Sequence, residues 1–160
     1  MLCGQGIAAM DTAGAYTDQK TIRTEIGGIY IIQVVYTATG ASGSFTSTVL
    51  DLPINGYILN AKTIPSPFTE TALSTIATAK SWTEYSPTAS YDITIKDENS
   101  LDVFGGALAN RSATAAEQVR PLLSGTHGAI EAYSRVTMSV TGNSVQDAVM
   151  AIKLWILKDK

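Results

Sequence analysis

From Ile22 onward, short runs of alternating or continuous apolar residues recur between turn residues, at spacings typical of an all-β sandwich or barrel. The clearest runs are 29–37, 45–52, 57–64, 91–96, 135–141 and 148–157. Gly27-Gly28 precede the first and Gly40 to Gly43 follow it, supplying the positive-φ positions of a hairpin. The runs 29–37 and 45–52 are therefore expected to be antiparallel neighbours. Pro53 and Asn55-Gly56 separate the second run from the third. Pro65 and Pro67 close the third, because proline cannot donate to a central ladder.

Two stretches break the β pattern. Between Phe68 and Pro87, Leu73, Ile76 and Ala77 fall at helical spacing, while Trp82 and Tyr85 read as anchors under a loop. The expectation there is a loop with at most one helical turn. Residues 112–119 form a second short helix candidate, with Ser112 as N-cap and Pro121 as stop.

The last two runs allow a sharper deduction. Val136, Met138 and Val140 share one face, as do Met150, Ile152, Leu154 and Ile156, and a slip of one residue would replace the second set with Val149, Ala151 and Lys153. Burying both sets in one hairpin needs an odd loop, which predicts three or five residues starting at Gly142. The final strand, the longest apolar run, should be central, with Trp155 allowing its second face to pack as well. Residues 1–20 are Gly/Ala/Thr-rich and aperiodic, which suggests an extended N-terminal arm held by a partner, followed by one domain over 21–160. The fold class expected is all-β: an antiparallel β-sandwich, jelly-roll-like, with one or two short helical turns at most.

Composition agrees with a single packed domain. The 160 residues are 45% hydrophobic and 16% charged, too apolar for wholesale disorder. A net charge of −3 and the lack of any Lys/Arg cluster argue against nucleic acid as partner. One cysteine, Cys3, and one histidine exclude an internal disulfide and a Cys/His zinc site. The first ten residues lack the basic region and long apolar core of a secretory signal, and read as a mature terminus. The apolar runs 29–36 and 148–157 are about half a membrane span, so no membrane segment is expected.

Polar chemistry concentrates in YDITIKDENSLDVFGGALANRS, residues 91–112. Its acids suggest a calcium loop, but counting from Asp97 the sixth and twelfth positions are Asp102 and Leu108, where an EF-hand needs glycine and glutamate. A pair of glycosidase carboxylates would have to face each other across a bond, and acids adjacent on a turn usually face water. Asp and Asn capping their own turn after the Tyr91, Ile93, Ile95 alternation is the simpler expectation. Gly105-Gly106 lacks the Lys-Ser/Thr of a phosphate loop and reads as a sharp bend. Asn110-Arg111-Ser112 matches a glycosylation triplet, which has meaning only in a secreted eukaryotic chain. His127, in Ser124-Gly125-Thr126-His127-Gly128, has no nucleophile elbow to serve and reads as a surface or interface residue. Arg111 and Arg120 can pair with Asp102 or Glu117, within or between subunits. No catalytic, cofactor-binding or metal residue is assigned, and no enzyme is expected. The candidate interface residues are Arg111, Arg120, His127, Trp82 and Tyr85.

The succession Tyr91-Asp92-Ile93-Thr94-Ile95, an Asp/Asn turn, Leu101-Asp102-Val103-Phe104-Gly105-Gly106, then Asn110-Arg111-Ser112 and Glu117-Gln118 resembles a pattern in small virion structural proteins of tailed bacteriophages. There a YDITL-like strand leads through an acidic turn to a DVLGG…NRS segment. Leu52 to Tyr57 upstream and Thr137 to Val140 before a last apolar strand fit the same layout, over roughly residues 44–157. Glu98-Asn99-Ser100 stands where that pattern has an acidic-glycine turn, and the N-terminal arm is longer. The resemblance implies a virion protein assembled in the bacterial cytoplasm. Its partners would be itself, as a homo-oligomer such as a trimer, and the major capsid protein or a neighbouring virion protein. Within the particle, capsid decoration is the first expectation and a neck, tail or fibre-attachment role the second. A reading of another class is a carbohydrate-binding sandwich using Trp82, Tyr85 or Tyr133 as a stacking platform.

Overall fold

A computed structural model describes residues 22–38, 43, 48–51, 56–79, 81, 83–132 and 135–158. The arm at 1–20, Trp82 and Tyr133 lie outside the described residues. All six runs contain strands: β2 (Ile29–Thr37), β3 (Thr48–Asp51), β4 (Gly56–Pro65), β5 (Asp92–Lys96), β10 (Arg135–Thr141) and β11 (Val149–Lys158). Shorter strands complete the set: β1 (Ile22–Ile26), β6 (Glu117–Val119), β7 (Leu122–Leu123), β8 (Thr126–His127) and β9 (Ile130–Ala132). One helix, α1, spans Thr71–Ala79.

The larger sheet runs β1-β2-β11-β4, with both β6 and β9 pairing the far edge of β4, and the smaller runs β3-β10-β5. Every ladder between named strands is antiparallel. The pairs β2–β11, β3–β10 and β4–β9 are nested, each formed by the next strand inward from the two ends of the chain. That winding is the jelly roll, an all-β sandwich.

Two expected hairpins are corrected by this winding. β2 and β3 lie in different sheets, as do β10 and β11. The connection after β10 is the seven residues 142–148, not the three or five expected, because it crosses between sheets rather than turning within one. Asn143 holds that crossing: its Nδ2 donates to Gly43 O at 2.6 Å and Val145 O at 2.9 Å, and its Oδ1 accepts Thr88 N at 2.8 Å. β11 is central, between β2 and β4.

Both faces of β11 pack. Met150, Ile152, Leu154 and Ile156 enter the core between the sheets with Ile32, Val34 and Tyr36 of β2, Ile93 and Ile95 of β5, and Val136, Met138 and Val140 of β10. On the outer face, Val149 and Ala151 join Val35 and Ile64 against Phe68, Leu73, Ile76 and Ala77. α1 thus corrects the expectation of a single turn. Its buried Leu73, Ile76 and Ala77 sit at helical spacing. Its Ser74 and Thr75 hydroxyls satisfy themselves on Thr71 O at 3.1 and 2.8 Å. Packing on the sheet supplies what intrinsic propensity lacks.

The helix expected over 112–119 is also absent; β6 lies there instead, paired with β4. Ser112 Oγ does accept from Thr114 N and Ala115 N, at 3.2 and 3.0 Å, so its capping chemistry serves a turn. Glu117 then reaches back to Ser112 N at 2.7 Å, and the chain leaves the turn extended.

Candidate functional site

The stretch 91–112 alternates core side chains with carboxylates that hold its turns. Tyr91, Ile93, Ile95, Val103, Phe104 and Leu108 all belong to the central core. Between them the carboxylates hold backbone. Asp97 Oδ1 accepts Asn99 N and Leu101 N, each at 2.9 Å. Asp102 accepts Phe104 N at 3.1 Å and Gly106 N at 2.7 Å on its two oxygens, and Asp92 Oδ1 accepts Asn110 N at 2.7 Å. Charge-assisted bonds of this kind are what a short polar turn needs to end one strand and re-enter the core. Glu98 is exposed. Among the described residues no three His, Cys, Asp or Glu side chains converge as metal ligands.

Gly105 and Gly106 form the sharp bend expected of them, both with positive φ, +56° and +80°. At Gly105 a Cβ would meet the Leu122 carbonyl oxygen at 2.0 Å, whereas at Gly106 nothing lies within 4 Å. The bend and the β7–β8 hairpin are joined there, with Leu122 N donating to Phe104 O at 3.1 Å.

The candidate interface residues separate. Arg111 folds onto its own loop: Nε and Nη2 donate to Ala109 O at 3.0 and 2.6 Å, and Nη1 lies 3.5 Å from Glu117 Oε2, the expected acid partner. Arg120 and His127 come together at the edge of the larger sheet. There β4 carries a bulge opposite Trp155 and Ile156. β6 pairs 61–63 and β9 pairs 56–58, so Leu59 and Asn60 fall in the gap between them. Leu59, Asn60, Arg120, His127, Gly128 and Ala129 line a shallow recess of about 310 Å³ at this gap. Asn60 Oδ1 is buried without a hydrogen-bond partner among the described residues. Tyr85 is 50% exposed, which corrects the expected anchor. Its segment is held through backbone instead, Ser66 Oγ and Val149 N donating to Tyr85 O at 2.6 and 2.9 Å.

A surface the sequence did not single out lies on the outer face of the larger sheet. At one end, α1 covers Val35, Ala151 and Ile64. A polar row follows, where Gln33, Lys153 and Lys62 are in register. Glu70 bridges the two lysines, with Lys62 Nζ at 2.7 Å and Lys153 Nζ on its other oxygen. Partial burial pushes the Glu70 carboxyl up, but the two lysine hydrogen bonds and charges outweigh it and hold the group below its usual range. Beyond this row the face turns apolar again. Ile31 and Trp155 stand in register beside Asn60, and Ile26, Ile29, Leu157 and Tyr57 form the last row. No element covers them among the described residues: Ile26 is 64% and Leu157 41% exposed, and the others are half-buried. The nearest signal in the sequence was Trp155, which points to a packed second face without saying that half of it stays open.

No family model matches the chain, and no curated protein matches it. A solved structure described as "Cyanophage Pam1 capsid asymmetric unit" aligns over 98% of this chain and 97% of the matched chain, at 12% identity and a TM-score of 0.40. A likeness that remote carries no argument about what this chain does. The chain's own strands define its class, an antiparallel jelly-roll sandwich.

Proposed function

We propose that the chain is a structural component of a tailed-bacteriophage particle, and within it a capsid decoration protein that binds and stabilises the head shell as a homo-oligomer. The observation that carries this reading is the apolar band of Ile26, Ile29, Ile31, Trp155 and Leu157 on the outer face of the larger sheet, which no described element covers. An apolar face on which Ile26 and Leu157 are exposed and Ile29, Ile31 and Trp155 are half-buried is the kind of patch that marks a protein contact. Two further points support it. Asp92, Asp97 and Asp102 hold turn backbone, which supports reading the string that resembles small phage virion proteins as a shape. Jelly rolls are also recurrent in viral capsid proteins. Decoration suits such a surface because many copies on a lattice let individually weak contacts add.

Neck or tail attachment would use the same surface at a different copy number. Quantitative mass spectrometry of purified particles separates the two. Decoration requires a count comparable to the major capsid protein, and a few to a dozen copies would assign the chain to the neck or tail.

Jelly rolls also serve as lectin domains. A saccharide-binding role is favoured by the exposed Tyr85 ring and by the recess that places Arg120 and His127 beside an Asn60 acceptor with no partner among the described residues.

A further inference from the structure

We infer that the recess at Arg120 is a binding site for an acidic saccharide, a sugar ring that carries a carboxylate beside its hydroxyls. The inference rests on the saccharide-binding reading above and names its ligand class. The registers gather the site into one row of the outer face. Lys62 meets Glu70 there and Ile64 packs under α1, so Asn60 faces the same way, beside Trp155. Carried one residue past Ala61↔Val119, the β6 ladder sets Arg120 opposite Asn60 on its other side. The row therefore runs Ile31, Trp155, Asn60, Arg120, from apolar to cationic, on strands about 4.8 Å apart. His127 reaches the same recess from the β7–β8 hairpin. Leu59, the extra residue of the β4 bulge, lines it as well and belongs to no ladder. Bulges are common beside binding sites, where they re-aim a side chain.

The hydrogen-bonding capacity left over at the recess says which ligand fits. Arg120 is exposed and makes no ion pair or side-chain hydrogen bond among the described residues, so its planar fork is available to a carboxylate. Asn60 Oδ1 is buried and lacks a donor among the described residues, a costly state that a ligand hydroxyl entering the recess relieves. An Asp or Glu side chain of a neighbouring protein only accepts, so it would meet Arg120 and leave Asn60 unmet. A ring that bears both a carboxylate and hydroxyls meets both. Its apolar face has the half-buried Trp155, next along the row, to lie against. At about 310 Å³ the recess stands at the small end of ligand pockets, which run to about 300–1,000 Å³, and it suits a single ring.

The test is a binding titration of the full-length protein against a panel of uronate- and sialate-bearing oligosaccharides, each beside its methyl ester, with a glutamate-rich peptide as the protein-borne carboxylate. The ester keeps the hydroxyls and loses the charge. At least one acidic sugar is expected to bind, about tenfold or more tighter than its ester. Arg120→Ala should remove that preference and leave acid and ester alike, while Trp155→Phe should weaken both. Arg120 is exposed, so an unchanged melting curve of Arg120→Ala separates lost binding from lost folding. Esters bound as tightly as acids, or an acid preference that survives in Arg120→Ala, overturn the inference and leave saccharide binding standing. A protein that binds no sugar overturns both. An Arg120-dependent affinity for the peptide in place of any sugar also overturns the inference, and assigns the recess to a protein carboxylate. None of these results bears on the count of copies per particle.

Discussion

Gly105→Ala is expected to cost more than about 3 kcal/mol of folding stability, while Gly106→Ala, one residue on, costs about 1 kcal/mol. Both glycines have positive φ, which an L-residue adopts at a penalty of about 1–2 kcal/mol. Only Gly105 adds a collision, its missing Cβ lying 2.0 Å from the Leu122 carbonyl oxygen. That oxygen is backbone and cannot swing aside. Relief would have to move either β7 or the segment carrying Phe104, which is fully buried in the core and accepts Leu122 N. Urea unfolding of the two variants gives the comparison directly. Equal losses would mean that the bend does not abut the β7–β8 hairpin as described.

Stability is expected to fall steeply between about pH 10 and pH 12, through two tyrosines buried in the core. Burial pushes Tyr91 up to about 12, with the Glu117 charge adding to it and Thr63 and Arg111 working the other way. Burial, and then the neighbouring Tyr91, push Tyr36 well above the ordinary tyrosine range. In this window the unfolded chain has released phenolic protons that the folded chain still holds. Unfolding is therefore favoured as pH rises, by about 1.4 kcal/mol per pH unit for each such group. Below about pH 10 both states keep the proton and the effect vanishes. Tyr91→Phe keeps the ring in the core and removes the titration, so its stability should fall less steeply across the window. An identical slope in Tyr91→Phe and wild type would contradict the assignment, as would a native tyrosinate absorbance that rises for all seven tyrosines near pH 10.

What the sequence revealed and what it hid follow from how local each signal is. The strands were legible because alternation is local: Tyr91, Ile93 and Ile95, or Val136, Met138 and Val140, declare a buried face on their own. Partners were not. Glycines around 29–37 are compatible with a hairpin at either end. The hairpin that forms is the earlier one, at Gly27-Gly28, while the chain after β2 crosses to the other sheet. Whether a turn stays in its sheet depends on long-range packing that no window of residues contains.

The two helix expectations failed in opposite directions for one reason. Thr/Ser-rich 71–79 is a poor helix alone but has Val35, Ile64, Val149 and Ala151 to bury Leu73, Ile76 and Ala77 against. Ala-rich 112–119 has better propensity, but the Glu117 side chain bonds back to Ser112 N and its backbone is claimed by β4.

The site shows the same division. That the acids of this stretch cap their own turns was readable from their residue type just after the Tyr91, Ile93, Ile95 alternation. The open band was not readable, because the Ile26 and Ile29 hairpin, Tyr57 and Leu157 are far apart in sequence and become one row only through the registers of β1, β2, β11 and β4.

An electron-microscopy reconstruction of phage particles purified from cells that make this protein tests the central claim most directly. Sandwich-shaped density repeating over the outside of the head shell, with the Ile26 to Tyr57 face turned against a neighbouring protein, is the expected result. Density confined to the neck or tail would contradict decoration, and a particle without this protein would contradict the virion reading altogether.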